Sequence, residues 1–199
     1  MKPSFTLDTN CVIAVADERP EAQAVLDLAH AHAIGTASVA LVAISASERQ
    51  QDGTTLATFT AFKDRLTTLG LGHLDLLKPL AYFGIGYFDW CLLSGNESIA
   101  IEKRIHEVLF PAIPFRWPDY CDSKGIAPET TSVGTSWRNA KCDVQAYWSH
   151  VHHKRQVFVT SDGNFHKQGK KASLLHEFGG QIATPGEAVH LLGGATNAA

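Results

Sequence analysis

The sequence predicts an α/β domain in which helices cover both faces of a mostly parallel sheet. Residues 4–7 form a short apolar run, and a helical pattern through Val12 and Val15 follows it at once. Residues 157–160 form a second run, strongly β-like, near the other end of the chain. In the first half, strand-like and helix-like stretches alternate, which is typical of parallel strands joined by crossover helices.

Composition limits the classes of protein to consider. The chain has 199 residues, of which 45% are hydrophobic and 19% charged, so one globular domain with a substantial core is expected. The formal net charge of −3 excludes a general basic footprint for nucleic acid. Binding to an anionic polymer would therefore need local basic patches or bridging metal ions.

The cysteines and the N-terminal pattern predict a reducing, cytoplasmic location. Cys11, Cys91, Cys121 and Cys142 form no C-x-x-C pair, so neither a zinc finger nor a dense disulfide framework is indicated. The N-terminus lacks the pattern of a signal peptide, because Asp8 interrupts it early. The longest weakly polar run, residues 33–46, is too short to span a membrane.

Hydrophobic periodicity and turn residues predict the elements along the chain. We expect residues 1–192 to form a single domain, with 52–136 as an insertion or helical arm and 193–199 as a flexible tail. Residues 74–93 have no clear assignment, and the prolines of residues 111–128 indicate a long loop. The predicted strands are 4–7, 34–39, 156–160 and 181–184, and the main predicted helices are 41–50, 54–70, 97–109, 139–154, 171–178 and one that begins at Pro185.

Two of the predicted strands end on acids, at Asp8 and at Asp162. Glu48 and Asp143 lie on predicted helices that could face the same end of the sheet. Four carboxylates at one place would repel one another unless a divalent cation neutralised them. Oxygen ligands without a thiol or imidazole motif favour Mg²⁺ or Mn²⁺ over zinc. Phosphodiester hydrolysis is the natural reaction of such a site.

These residues resemble the PIN-domain ribonucleases. The resemblance rests on Leu7-Asp8-Thr9-Asn10, on the helix acid Asp143, and on the turn Val159-Thr160-Ser161-Asp162-Gly163-Asn164-Phe165. It covers residues 4–50 and 137–190. It implies a three-layer α/β/α sandwich, metal-dependent RNA cleavage, and often a toxin role restrained by an antitoxin protein. We also expect a homodimer and no membrane partner.

The resemblance assigns roles to individual residues. Asp8, Glu48, Asp143 and Asp162 would be the catalytic residues and metal ligands. Asn164 stands where the family has another acid; its amide oxygen could ligate a metal without adding charge, so one or two ions are possible. Thr160 could hydrogen-bond a ligand carboxylate or water. The residues expected near the RNA are Asn10, Thr160, Arg138 and Lys141, and a further basic group is Lys167, Lys170 and Lys171.

Other interpretations of the same residues stay open. Asp8 could be only a helix cap, Asp162 only a turn residue, and Asp143 part of a solvated helix face. The chain could also be a catalytically weak PIN-fold module that binds RNA or a protein. A haloacid-dehalogenase-like phosphatase also uses a strand-end Asp, but it needs a second Asp two positions on, where Asn10 stands.

Overall fold

A computed structural model describes residues 2–47, 58–82, 85–128 and 135–196. Its strands are β1 (Ser4–Leu7), β2 (Ser38–Val42), β3 (Asp75–Leu77), β4 (Val157–Val159) and β5 (Gln181–Ala183). Its α-helices are α1 (Thr9–Ala16), α2 (Ala22–Ala33), α3 (Phe59–Thr68), α4 (Asn96–Leu109), α5 (Trp117–Lys124), α6 (Thr135–His152), α7 (Gly163–His166), α8 (Gln168–Phe178) and α9 (Pro185–Thr196). Short 3₁₀ helices occupy Ala43–Ser47 and Phe88–Trp90.

The five strands form one parallel sheet in the order β3-β2-β1-β4-β5. Along the chain, β2 and β3 lie successively on one side of β1, and β4 and β5 then lie on its other side. The strand order therefore reverses between β1 and β4. Open α/β sheets bind ligands outside the carboxyl ends of the strands at such a reversal. Asp8 and Thr160 follow β1 and β4 at this point.

Side chains that alternate along each strand divide the core into two layers. Phe5, Leu7 and Val159 face one layer with α1, α2, α3 and α9. Phe158 and Ile182 face the other with α4, α6 and α8. The fold is therefore a three-layer α/β/α sandwich with a parallel central sheet, and the predicted fold class is confirmed. In the described part of the chain, no helix is both long enough and apolar enough to cross a membrane.

The second strand was predicted over residues 34–39, but in the structure it begins at residue 38. Gly35 adopts a φ of 76° and closes the end of α2, with its N–H donating to the carbonyl of His32. Residues 34–37 are thereby used in the turn, and β2 begins at Ser38. Leu41, predicted to begin a helix over 41–50, instead lies inside β2. The 3₁₀ helix Ala43–Ser47 follows, and residues 48–57 lie outside the described residues.

The described parts of 52–136 are joined to the sheet and to both core layers. β3 pairs with β2 as an edge strand, and Phe62 of α3 is buried in the first layer. Ile105 and Leu109 of α4 are buried in the second layer. The predicted loop over 111–128 contains α5, in which Pro118 occupies the first turn and Gly125 ends the helix with a φ of 64°.

A buried ion pair fastens α4 to α6. Lys141 Nζ lies 2.8 Å from Glu102 Oε1, and both side chains are fully buried. Glu102 also accepts hydrogen bonds from Gln145 Nε2 at 2.8 Å and from the Tyr82 hydroxyl at 2.9 Å. The ammonium lies 4.0 Å from the centre of the Phe115 ring. Burial lowers the pKa of Lys141, whereas Glu102 raises it and favours the charged form.

This pair predicts a non-additive effect on stability. Glu102→Gln leaves the buried ammonium without its counter-charge, and we expect a loss of about 3–5 kcal/mol in the free energy of unfolding. Lys141→Met added to that variant should restore more than half of the loss, because the substituted amide on α4 can still bond Gln145 and Tyr82. Urea denaturation of the double-mutant cycle measures both values. A double variant no more stable than Glu102→Gln contradicts this interpretation.

Candidate active site at the ends of β1 and β4

Asp8 is held rigidly at the end of β1. Its backbone N–H donates to the carbonyl of Val159 at 3.0 Å, which extends the pairing of β1 with β4 by one step. Its carboxylate accepts the N–H of Thr9 at 2.8 Å and so caps α1. Only 2% of the residue is exposed. The cap and the strand end thus fix both the backbone and the side chain of this acid.

Thr160 joins the two strand ends through its hydroxyl group. The hydroxyl donates to Asp8 Oδ2 at 2.7 Å and accepts the backbone N–H of Asp162 at 3.0 Å. The backbone N–H of Thr160 donates to the carbonyl of Ala183, so β5 holds the residue in place. Thr160 was expected to bond either a ligand carboxylate or a water, and the structure places it on the carboxylate of Asp8.

Asp162 lies close enough to Asp8 for their charges to interact. Burial is the largest cause that raises the pKa of Asp8 above its ordinary value, and the nearby carboxylate of Asp162 raises it further. The hydrogen bonds from Thr160 and Thr9 act in the opposite direction. Asp162 itself is half-buried and caps α7 by accepting the N–H of Asn164 at 2.8 Å. The structure therefore brings these two predicted acids together.

Of the other two predicted acids, Asp143 lies half-buried on α6, and Glu48 lies outside the described residues. Over the ranges 2–47, 58–82, 85–128 and 135–196, no group of three acidic, histidine or cysteine side chains is close enough to hold a metal ion. The described site thus consists of the Asp8–Asp162 pair.

The side chain of Asn164, predicted as a metal ligand, makes two hydrogen bonds within the chain. Its Oδ1 accepts a hydrogen bond from Lys170 Nζ at 2.6 Å, and its Nδ2 donates to the carbonyl of Leu109 at 3.5 Å. The amide oxygen that was expected to contribute to a metal site thus already accepts a hydrogen bond from an ammonium group.

The residues predicted to contact RNA have distinct surroundings. The amide of Asn10 donates to Asp8 Oδ2 at 3.3 Å, so it orients the acid. Arg138 is half-buried on α6 and lies near Tyr87. Lys141, expected at the surface, is instead fully buried against Glu102, and its ammonium has no solvent-facing position from which to meet a phosphate. Lys141 was expected at the surface because it is a charged residue on a helix close to the site. Its burial could not be seen in the local sequence, because its partner Glu102 lies 39 residues away in the chain.

Sequence reasoning missed two residues that support the site. The Ser45 hydroxyl shares a 2.7 Å hydrogen bond with the hydroxyl of Thr9, so the end of β2 also meets the start of α1. His166 Nε2 lies 2.9 Å from the carbonyl oxygen of Thr160 and braces the turn after β4. Ser45 lies in the 3₁₀ helix after β2 and His166 ends α7, and the partners of both are apparent only in three dimensions.

The chemistry of Asp8 and Asp162 fits a hard divalent cation. The two carboxylates follow adjacent strands of the sheet, and within the described parts of the chain no lysine, arginine or histidine forms an ion pair with Asp8. A buried ionised carboxylate without a cation is costly. All the donor atoms are oxygens, which Mg²⁺ and Mn²⁺ prefer.

Comparisons of the chain with protein-family models, with curated proteins and with solved structures gave no match.

The geometry predicts that the Thr160 hydroxyl is needed at the site. Thr160→Val keeps the shape but removes both the donor to Asp8 and the acceptor for Asp162 N–H, in a fully buried position. We expect a loss of about 1–3 kcal/mol in the free energy of unfolding. Thr160→Ser is the matched control and should stay closer to the parent chain. Chemical denaturation distinguishes them, and equal stabilities for the two variants would show that the hydroxyl is not required.

Proposed function

We propose that the chain is a metal-dependent endoribonuclease of the PIN-domain type, which hydrolyses RNA phosphodiester bonds with Mg²⁺ or Mn²⁺. The observation that carries the proposal is the pairing of Asp8 and Asp162 at the reversal point of the sheet, with Thr160 between them. The motifs around these residues supply the link to ribonucleases. Glu48 and Asp143 are the further acids of the proposed site.

In the proposed mechanism, the chain supplies a fixed negative pocket. Asp8 and Asp162 would hold the ion, and Asn10 and Thr160 keep the Asp8 carboxylate oriented by donating to Oδ2. The chemistry supplied by an ion held there would be that of a Lewis acid toward a phosphoryl oxygen and toward water. Ligands of open α/β sheets bind outside the carboxyl ends of the strands, and the RNA backbone would approach the acids from that side.

The family resemblance also supports a toxin restrained by an antitoxin, and the proposal includes the homodimer and the cytoplasmic location expected from the sequence. Each is part of the proposal. Growth of a host that expresses the parent chain, compared with one that expresses Asp8→Asn, tests the toxin role: equal growth would remove it.

A second candidate function is a catalytically weak PIN-fold module that binds RNA or a protein. The observation that favours it is Asn164, where an amide engaged by Lys170 stands in place of an acid. Such a module would bind RNA but leave it intact in the presence of Mn²⁺.

Substitution of either strand-end acid tests the nuclease. Asp8→Asn and Asp162→Asn should each lower the rate of cleavage of a fluorescently labelled single-stranded RNA by at least about 100-fold, since a bound ion contributes several kcal/mol to the barrier. Asp27→Asn is the matched control, because Asp27 is an exposed acid on α2. Thermal unfolding confirms that each variant is folded.

Two outcomes would overturn the assignment. A folded Asp8→Asn chain that cleaves RNA at the parent rate removes Asp8 from the chemistry. A parent chain that binds RNA without cleaving it, in Mg²⁺ and in Mn²⁺, supports the binding module instead.

A further inference from the structure

Lys170 lies beside the candidate site and has unusual partners for a lysine in the first turn of a helix. Its ammonium donates to Asn164 Oδ1 at 2.6 Å and to the carbonyl oxygen of Leu109. It lies 5.7 Å from the centre of the Phe110 ring. The side chain is half-buried; burial lowers the pKa of Lys170 and Lys167 lowers it further, whereas the nearby carboxylate of Asp162 raises it. The ammonium is thus held at a fixed place next to the acid pair.

Lys170 and Asn164 bond to each other, and both donate to the carbonyl of Leu109. The amide oxygen of Asn164 is used by the ammonium, and the amide N–H group is directed to the same carbonyl, at Leu109. Leu109 ends α4, and the carbonyls that have no partner within the helix at its C-terminus attract a cation. Two neutral oxygens therefore hold the ammonium, and among the described residues no carboxylate forms an ion pair with it. Neither of the two oxygens cancels its positive charge.

The Lys170 ammonium contacts Asn164, the residue that stands where PIN-domain ribonucleases have another acid. A carboxylate at residue 164 could share a second metal ion with Asp162, but the amide brings no negative charge to do so. The space against the amide oxygen is filled by the Lys170 ammonium instead. The site thus carries acids that suit a divalent ion and, beside them, a cation that belongs to the chain.

We propose that Lys170 supplies the second positive charge of the site and contacts the phosphate of bound RNA, while Asn164 positions the ammonium and ligates no metal. This inference rests on the proposed nuclease function. It makes the site a one-ion site, in which Lys170 takes the place that a second ion would fill. No proton transfer is assigned to Lys170, whose role is to attract and orient the phosphate.

RNA binding tests the phosphate contact without relying on cleavage. The probe is a ten-nucleotide single-stranded RNA, titrated at several salt concentrations in EDTA, because without a divalent ion the proposed nuclease leaves the RNA intact. Lys170→Met should weaken binding about tenfold and reduce the slope of log affinity against log salt by about 0.7, the value for one phosphate contact on a single strand. Lys170→Arg should recover most of both. Lys103→Met is the matched control and should bind like the parent, because Lys103 is an exposed lysine on α4 that has no role in the site.

Metal stoichiometry tests the one-ion inference independently. Calorimetric titration with Mn²⁺ should give one ion per chain for the parent and for Asn164→Asp, because Lys170 still fills the second position. The double variant Asn164→Asp, Lys170→Met should bind two ions, since it gains an acid and loses the competing ammonium.

The outcomes separate this inference from the proposed function. If Lys170 only caps the end of α4, Lys170→Met will lower stability and leave the salt slope unchanged, which overturns the inference. Two Mn²⁺ ions in the parent chain would overturn it as well. Either result, together with an inactive Asp8→Asn variant, leaves the nuclease proposal standing. A fully active Asp8→Asn variant removes the nuclease proposal whatever Lys170 does.

Discussion

The candidate site depends on the pairing of β1 with β4, which brings the carboxylates of Asp8 and Asp162 near each other although their charges repel. The hydrogen bond from Asp8 N–H to the Val159 carbonyl extends the sheet to the place where two acids meet. Burial and mutual repulsion both act against the charged form of Asp8. The Thr160 hydroxyl holds Asp8 and the backbone of Asp162 in this arrangement. A site assembled at this cost to charged groups is typical of function, because a bound cation can remove the conflict.

The distant middle of the chain contributes to this site through α4. The buried Glu102–Lys141 pair fixes α4 against α6, and the end of α4 presents the Leu109 carbonyl to Asn164 and Lys170. On the outer side, Arg104 forms an ion pair with Glu177 of α8 at 2.9 Å, which is an exposed contact of small energetic weight. The segment expected to be an insertion or arm therefore supplies, through the Leu109 carbonyl, a contact that holds Asn164 and Lys170 beside the acid pair.

The sequence predicted those features that depend on neighbours along the chain. Asp8 and Asp162 were identified because each follows an apolar strand, and parallel strands bring their carboxyl ends to one edge. β3 was missed because three residues are too few for a period-2 pattern, and α5 because prolines and aromatic residues obscure its periodicity. The burial of Lys141 depends on Glu102, and the orientation of Asn164 depends on Lys170 and on the end of α4. No local pattern reports such partners.

The central claim is that Asp8 and Asp162 hold one divalent cation. A crystal grown with Mn²⁺ and measured near the manganese absorption edge tests it most directly, because anomalous scattering locates the ion independently of the surrounding density. The account predicts one anomalous peak within coordination distance of carboxylate oxygens of both Asp8 and Asp162, with Asn164 still bonded to Lys170. A Mn²⁺-saturated crystal without a peak between these two carboxylates would contradict it.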